Sequence, residues 1–465
     1  MTTKTLFIEP FVDEGLGNSA YLVGSHETHT AALIDPLRDV DRYLAAAERL
    51  SVTITHALDT HLHNDFLSGA REIAARTGAV IGASAAAKVG FDHRPLAEND
   101  EVAMGEARLR VMHTPGHTPE HIAFLLTDDD APTALFSGGA LIVGGAARTD
   151  LLGHDLSEPL ARHLYHTLHH KLLTLPDAVN VYPTHGAGSF CVAPASPERT
   201  TTIGRERKTN PLARAKTEDE FLARALSGLP SYPVYYREMR PINQRGPKVL
   251  GGVPVLKPLS AAEVHAQIER GALALDVRRR GAFAAAHIPG AYGIRVDAPL
   301  VTWAGWLIPF GAPLILVTDS AAERESAVRQ LVRIGYESLL GYLEGGVEAW
   351  VKAGLRTERV QTMTAAELRE RLNSGEALAV LDVRQDSEWE AGHIPGALHI
   401  ENGRLPYDDP LPLPADRPIV VHCAHGARST AAISVLARRG YRDLILVKDG
   451  FAGWAAAGFE VQQGG

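Results

Sequence analysis

Leu275-Asp276-Val277-Arg278 and Leu381-Asp382-Val383-Arg384 are the same four residues met twice, and the motifs beyond each are repeated as well. His287-Ile288-Pro289-Gly290-Ala291 returns as His393-Ile394-Pro395-Gly396-Ala397, Gly335-Tyr336 as Gly440-Tyr441, Gly346 with Trp350 as Gly450 with Trp454, and Ala353-Gly354 as Ala457-Gly458. The order is kept and the offset is nearly constant, so two copies of one domain stand in tandem. In the second copy, residues 378–383 and 418–422 are apolar runs bounded by turn residues and read as buried strands. Residues 429–439 carry apolar side chains at helical spacing and stop at Gly440. Strands alternating with helices predict a parallel sheet covered on both faces.

Ahead of the repeats the pattern changes. Strand candidates at 20–23, 31–34, 80–82, 109–113, 133–137 and 179–182 are punctuated by glycine, with helices expected over 40–50, 69–76 and 156–173. This is a mixed α/β domain. Residues 194–257, rich in charge, proline and arginine, read as an arm that packs on the first domain and leads to the repeats. The domains expected are therefore 1–245, 246–358 and 359–465, which suits 465 residues at roughly 100–200 per domain.

Composition narrows the function. Hydrophobic residues are 45% and charged residues 22%, enough apolar material for several cores. A net charge of −9 without a basic cluster argues against a nucleic-acid partner. No run approaches the ~18 apolar residues of a membrane span. The start, Met-Thr-Thr-Lys-Thr-Leu-Phe-Ile-Glu-Pro, lacks the apolar core of a secretory signal. Only Cys191 and Cys423 occur, which excludes a disulfide framework and suits a reducing cytoplasm.

The second copy holds His422-Cys423-Ala424-His425-Gly426-Ala427-Arg428-Ser429, a strand end, a tight loop and a helix start. Backbone N–H groups in such a loop bind anions and favour a thiolate. Gly426 lets the chain curl and Arg428 adds charge, so Cys423 reads as a nucleophile and Ala424, His425, Gly426, Ala427 and Ser429 as the loop that cradles its substrate. A phosphatase loop uses one more residue between Cys and Arg; the tighter spacing here favours sulfur chemistry. Together with Leu-Asp-Val-Arg, Glu-x-x-x-Gly-His-Ile-Pro-Gly-Ala and Gly-x-x-x-Trp, this segment resembles the rhodanese family. The resemblance implies that Asp382 and Arg384 are structural and that Cys423 carries a persulfide. In the first copy Asp319 stands at the cysteine position and Ala322 at the glycine position. A carboxylate cannot carry sulfane sulfur, so a catalytically silent domain, a spacer or docking surface, is expected.

In the N-terminal part, Thr60-His61-Leu62-His63-Asn64-Asp65-Phe66 follows the apolar stretch 54–58, and Pro115-Gly116-His117-Thr118 and Thr184-His185-Gly186 follow the strands expected at 109–113 and 179–182. Two histidines at i, i+2 on a strand end face one side and suit a metal ion. His163, His166, His169 and His170 share one helix and read as its surface or packing. The His-x-His-x-Asp group with the later Gly-His-Thr and Thr-His-Gly resembles the metallo-β-lactamase superfamily, which implies an αββα sandwich with a metal at one edge. Within it, Ala147-Arg148-Thr149-Asp150-Leu151, residues 202–210 and the domain order resemble persulfide dioxygenases fused to rhodanese domains. Phe66 stands where dinuclear hydrolases of the glyoxalase II type have a histidine.

That resemblance implies iron held by His61, His117 and an aspartate, but Gly139 occupies the aspartate position. Three readings are open: a site of His61, His63 and His117, with His185 as a possible further ligand; Asp65 or Asp150 as the carboxylate; or a domain in which metal binding is weak or absent. The first is preferred, with one metal ion per N-terminal domain, Fe(II) ahead of Zn. Cys191 is either a packed residue or a thiol that exchanges sulfur near the pocket. The function expected is oxidation of a low-molecular-weight thiol persulfide to sulfite and thiol, coupled to sulfur transfer among thiosulfate, sulfite and thiol at Cys423. The alternative is a sulfurtransferase whose first domain is non-catalytic or a zinc hydrolase. The family likeness adds a homodimer.

Overall fold

Alternate residues of the strand Asn18–Ser25 enter opposite cores. Tyr21 and Val23 pack with Ile34 and Leu58, and with Leu109, Val111, Phe124 and Phe136 of a second sheet. Ala20 and Leu22 point the other way, onto Tyr43 and Ile73 of the helices Asp41–Arg49 and Ala70–Thr77. The second sheet does the same: Leu125 and Leu135 leave the inter-sheet layer and pack on Leu164 and Leu168 of the helix His154–His170. A period of two along each strand thus builds two sheets face to face with helices outside both. This is the αββα sandwich. One sheet runs in chain order through Leu6–Asp13, Asn18–Ser25, Thr30–Ile34, Thr53–Leu58, Val80–Ser84 and Arg94–Leu96. The other runs Thr201–Thr202, Asn180–Pro183, Ala131–Gly138, Ile122–Asp128, Ala107–His113, Glu101–Met104.

The structure is a computed structural model that describes residues 6–104, 107–128, 130–192, 196–297, 299–414 and 416–464; Met1–Thr5 and Pro194 lie outside the described residues. Residues Met1–Pro254 and Val332–Gly335 form one compact unit, and Val255–Leu331 with Tyr336–Gly465 form the other. The charged stretch read as an arm contains three helices, Ile203–Thr209, Glu218–Ala225 and Tyr236–Arg245. Thr202 and Thr217 cap the first two through their side chains. No helix among the described residues is long and apolar enough to cross a membrane.

In the second unit each copy has a five-stranded parallel sheet. The orders are Pro258–Leu259, Leu339–Leu343, Leu314–Val317, Leu273–Asp276, Tyr292–Gly293 and Gln361–Met363, Leu444–Val447, Ile419–His422, Ala379–Asp382, Leu398–His399. The repeated motifs are its fasteners. Arg278 closes on Asp276 (2.7 Å) and on the carbonyl of Ala286 (2.8 Å); Arg384 does the same with Asp382 (2.6 Å) and Gly392 (2.6 Å). His287 stacks on Phe283 and His393 on Trp389, with ring centroids 4.0 and 3.5 Å apart. Trp350 and Trp454 each donate their indole N–H to the chain six residues on, at Arg356 and Glu460 (2.8 Å).

Both partners of the Arg384–Asp382 pair are buried, so removing one strands a charge. Arg384→Ala is expected to destabilise the second unit by about 3–5 kcal/mol, read as a lower urea midpoint for its unfolding.

Candidate functional site

Three hydrogen-bond chains decide which nitrogen of each histidine is bare. Thr60 Oγ1 donates to Asp35 Oδ2 (2.8 Å), which leaves it to accept from Nδ1 of His61 (2.9 Å). Asn18 donates its amide to Asp65 (2.7 Å), turning its oxygen to Nδ1 of His185 (3.0 Å). The carbonyl of Arg148 accepts from Nδ1 of His117 (2.6 Å). Each ring therefore carries its proton on Nδ1 and presents Nε2 as a lone pair. His61 Nε2 and His185 Nε2 face each other at 3.4 Å, and His117 Nε2 is buried with no partner. Burial and the neighbouring imidazoles hold His61 well below its ordinary pKa. Burial draws His117 down to about 3. Converging Nε2 atoms, one of them without any partner, fit a metal ion.

Ligand atoms of His61, His117 and His185 all lie within 4.8 Å of one another. His63 is adjacent, its ring centroid 4.1 Å from that of His61, but it groups instead with Asp65 and His185, and with Asp35 and Asp59. Its Nε2 is taken by Asp35 (3.2 Å), while its Nδ1 and Asp65 Oδ1 are buried without partners. Although burial alone would raise it, His185 and Asn18 keep the Asp65 carboxyl near 2. Asp150 is in none of these groups: Arg148 grips both its oxygens at 2.6 and 2.7 Å.

Gly139 is more than a missing carboxylate. A Cβ there would sit 2.7 Å from Cδ2 of His117, so the ring of a candidate ligand fills the space a side chain would need. The Gly139 N–H is bound by Nε2 of His121 (2.9 Å), whose ring stacks on His61 at 4.9 Å. Phe66, fully buried, stacks on His63 at 4.1 Å. Cys191 is also fully buried, and burial and the Asp65 charge push its thiol well above its ordinary range, which favours packing over sulfur exchange.

His121, Asp35, Asn18 and the helix Tyr236–Arg245 were not read from the sequence. Asn243 in that helix binds the carbonyls of His63 (2.9 Å) and Phe66 (2.8 Å), and Arg240 holds Glu120, which accepts the N–H of Leu62. Tyr235 just before the helix donates to the carbonyl of Asp65 (2.7 Å). This arm fixes the His-x-His-x-Asp loop from outside. His121, four residues after His117, was the one legible signal.

The thiol loop lies between the strand Ile419–His422 and the helix Ala427–Arg438. Cys423 Sγ accepts the N–H of Gly426 (3.0 Å) and the hydroxyl of Ser429 (3.3 Å). Gly426 takes φ +88°, which only glycine adopts without strain. Cys423 itself is buried, Ala424 and Ala427 are half-buried, and His425 is exposed at the tip of the loop. Arg428 is paired with Glu388 (Nη2–Oε1 2.8 Å), and its charge reaches Cys423. In the first copy the helix Ala321–Arg333 starts directly after Ser320, with Asp319 N–H bound by Glu323 (2.9 Å). No curled loop forms. Asp319 lines a cavity of about 910 Å³ together with Arg278, Arg324 and Tyr342.

The family model of the metallo-beta-lactamase superfamily matches residues 13–185, and that of the rhodanese-like domain matches 260–353 and again 364–457. A protein of Homo sapiens named mitochondrial persulfide dioxygenase ETHE1 is 32% identical over 184 residues, 39% of this chain and 68% of the relative. A solved structure described as a metallo-beta-lactamase from Staphylococcus aureus is 32% identical with a TM-score of 0.65, covering 73% of this chain and 99% of that one. The chain belongs to the metallo-beta-lactamase superfamily. To this metallo-beta-lactamase domain are joined two rhodanese-like domains, of which the first has no cysteine. A hydroxyacylglutathione hydrolase of Rhodospirillum rubrum is 40% identical over 170 residues, 36% of this chain and 62% of the relative.

Metal titration checks the cluster. His117→Ala and His185→Ala are expected to lose bound metal, and Gly139→Ala to weaken it by about 10–100-fold by displacing the His117 ring, measured by equilibrium dialysis and elemental analysis.

Proposed function

We propose that this chain moves sulfane sulfur through Cys423 and oxidises a low-molecular-weight thiol persulfide at the histidine cluster of its first domain. The observation that carries the first half is the Cys423 sulfur, held by a backbone N–H and a hydroxyl at a helix start. The Cys423 thiolate attacks the outer sulfur of thiosulfate; the S–S bond breaks, sulfite leaves with the electron pair, and Cys423 holds a persulfide. An acceptor thiolate then attacks that outer sulfur and the Cys423 thiolate leaves. Gly426 N–H and Ser429 stabilise the anionic sulfur in both steps. Arg428, paired with Glu388, adds positive charge beside the sulfur.

In the first domain, His61, His117 and His185 would hold one metal ion, with His63 and Asp65 beside it. The reaction proposed takes a thiol persulfide, dioxygen and water to the thiol and sulfite, and ferrous iron, when bound, supplies open coordination positions for activating the two reactants. The chain's own groups set the stage. Thr60, Asn18 and the Arg148 carbonyl keep the three Nε2 lone pairs bare, and Phe66 covers His63 with an apolar ring. The dioxygenase named among the relatives supports this reading. The hydrolase likeness supports a second one, a zinc thioesterase, which the Phe66 ring disfavours because it leaves a second metal without an imidazole there.

Oxygen uptake and thioester hydrolysis separate these readings. Iron-loaded protein is expected to consume oxygen with glutathione persulfide and release sulfite. Cys423→Ser is expected to keep that uptake and lose thiosulfate-to-thiol transfer. Thioester hydrolysis by zinc-loaded protein without oxygen uptake by the iron form would overturn the dioxygenase half, and transfer surviving Cys423→Ser the other half.

A further inference from the structure

The loop around Cys423 turns the Gly426 N–H and the Ser429 hydroxyl to the sulfur, and its carbonyls point elsewhere. Each has a partner. The Cys423 carbonyl accepts from Phe451 N–H (2.8 Å) and the Ala424 carbonyl from Ala452 N–H (3.0 Å), both at the start of the helix Gly450–Ala456. The Gly426 carbonyl accepts from the Thr430 hydroxyl (3.2 Å). The His425 carbonyl is the exception. Its partner, Nη1 of Arg280 at 2.7 Å, comes from the first rhodanese-like domain, where Arg280 opens the helix Arg280–Ala285.

The peptide unit it grips is the decisive one. The carbonyl of His425 and the N–H of Gly426 are two ends of a single planar group and point in opposite directions. With the carbonyl on a guanidinium, the N–H is aimed at Cys423 Sγ, which it meets at 3.0 Å. If that peptide rotated, a carbonyl oxygen would face the sulfur anion instead. Rotation is open to this unit because Gly426 tolerates both signs of φ. The fit is close: a Cβ on Gly426 would fall 1.8 Å from Arg280 Nη1. Charge adds to geometry, since Arg280 and Cys423 are near enough to interact electrostatically.

We propose that the cysteine-less first domain is a working part of the sulfur-transfer site, supplying Arg280 as a positioning residue that locks the His425–Gly426 peptide with its N–H toward Cys423. The inference rests on the transfer chemistry proposed for Cys423. It gives the first copy a role that needs no nucleophile of its own: the repeat keeps its fold so that one guanidinium arrives at its partner's loop.

The test uses the full chain with Arg280→Met, Arg280→Lys and, as a control, the exposed neighbour Arg279→Met. Arg280→Met is expected to lower kcat for thiosulfate-to-thiol transfer about tenfold, with a smaller change in KM for the acceptor thiol. Arg280→Lys, which can still donate to the carbonyl, is expected to recover most of the loss, and Arg279→Met to match the wild type. Hydrogen exchange of residues 423–430 should speed up in Arg280→Met alone. Wild-type kcat in Arg280→Met overturns the proposal. So does Arg280→Lys as impaired as Arg280→Met, because a volume effect would then suffice. If the wild type itself loaded no sulfur on Cys423, the transfer reading would fall, while unchanged exchange in Arg280→Met would separately sink the positioning role.

Discussion

A buried reactive atom keeps its polarity only when the donors and acceptors around it are held in fixed directions. In both candidate sites some of the bonds that hold them come from distant parts of the chain. At the histidine cluster, Asn18, Thr60 and the Arg148 carbonyl accept the Nδ1 protons, and the Nε2 atoms of His61 and His185 are left facing each other at 3.4 Å, an arrangement that suits a cation. At Cys423, the loop carbonyls are drawn outward, and the N–H and hydroxyl groups turn to the sulfur. Without these outer bonds the rings could flip tautomer and the loop could turn a carbonyl inward, and neither site would hold its polarity.

One domain template serves two ends under the same constraint. Both copies keep the Asp–Arg clamp, the stacked histidine and the tryptophan tie, so both keep the parallel sheet. They part where the strand meets the helix. A glycine in the left-handed region gives the second copy its curl, whereas Ser320 and Glu323 cap the first copy's helix directly. Without the curl the first copy has no nucleophile loop, yet every fastener of its sheet is in place.

The fold was largely legible because its determinants are local and periodic. The tandem repeat, the buried strands and the helix ending at Gly440 are set by spacing alone, and the sandwich by strand alternation once the histidine motif is placed. What escaped was set by distant residues. The strand Leu6–Asp13 is only half-buried and lacks an apolar alternation, and the arm's first two helices are short and highly charged. At the site, His61 and His117 were visible from their motifs. His185 read only as a possible ligand, and the structure brings it into the group with them; its ring is oriented by Asn18, 167 residues away. Asp150 looked available in sequence, yet Arg148 two residues earlier holds it. Arg280 could not be found from the sequence, since nothing in its own segment marks it as reaching a loop 145 residues on.

The central claim is that the Cys423 sulfur accepts one further sulfur atom. Intact-mass and peptide mass spectrometry after a stoichiometric pulse of thiosulfate addresses it directly. The account predicts a gain of one sulfur atom mapped to Cys423, with one sulfite released and Cys191 unmodified. A protein that gains no sulfur at Cys423, or gains it at Cys191 instead, would contradict it.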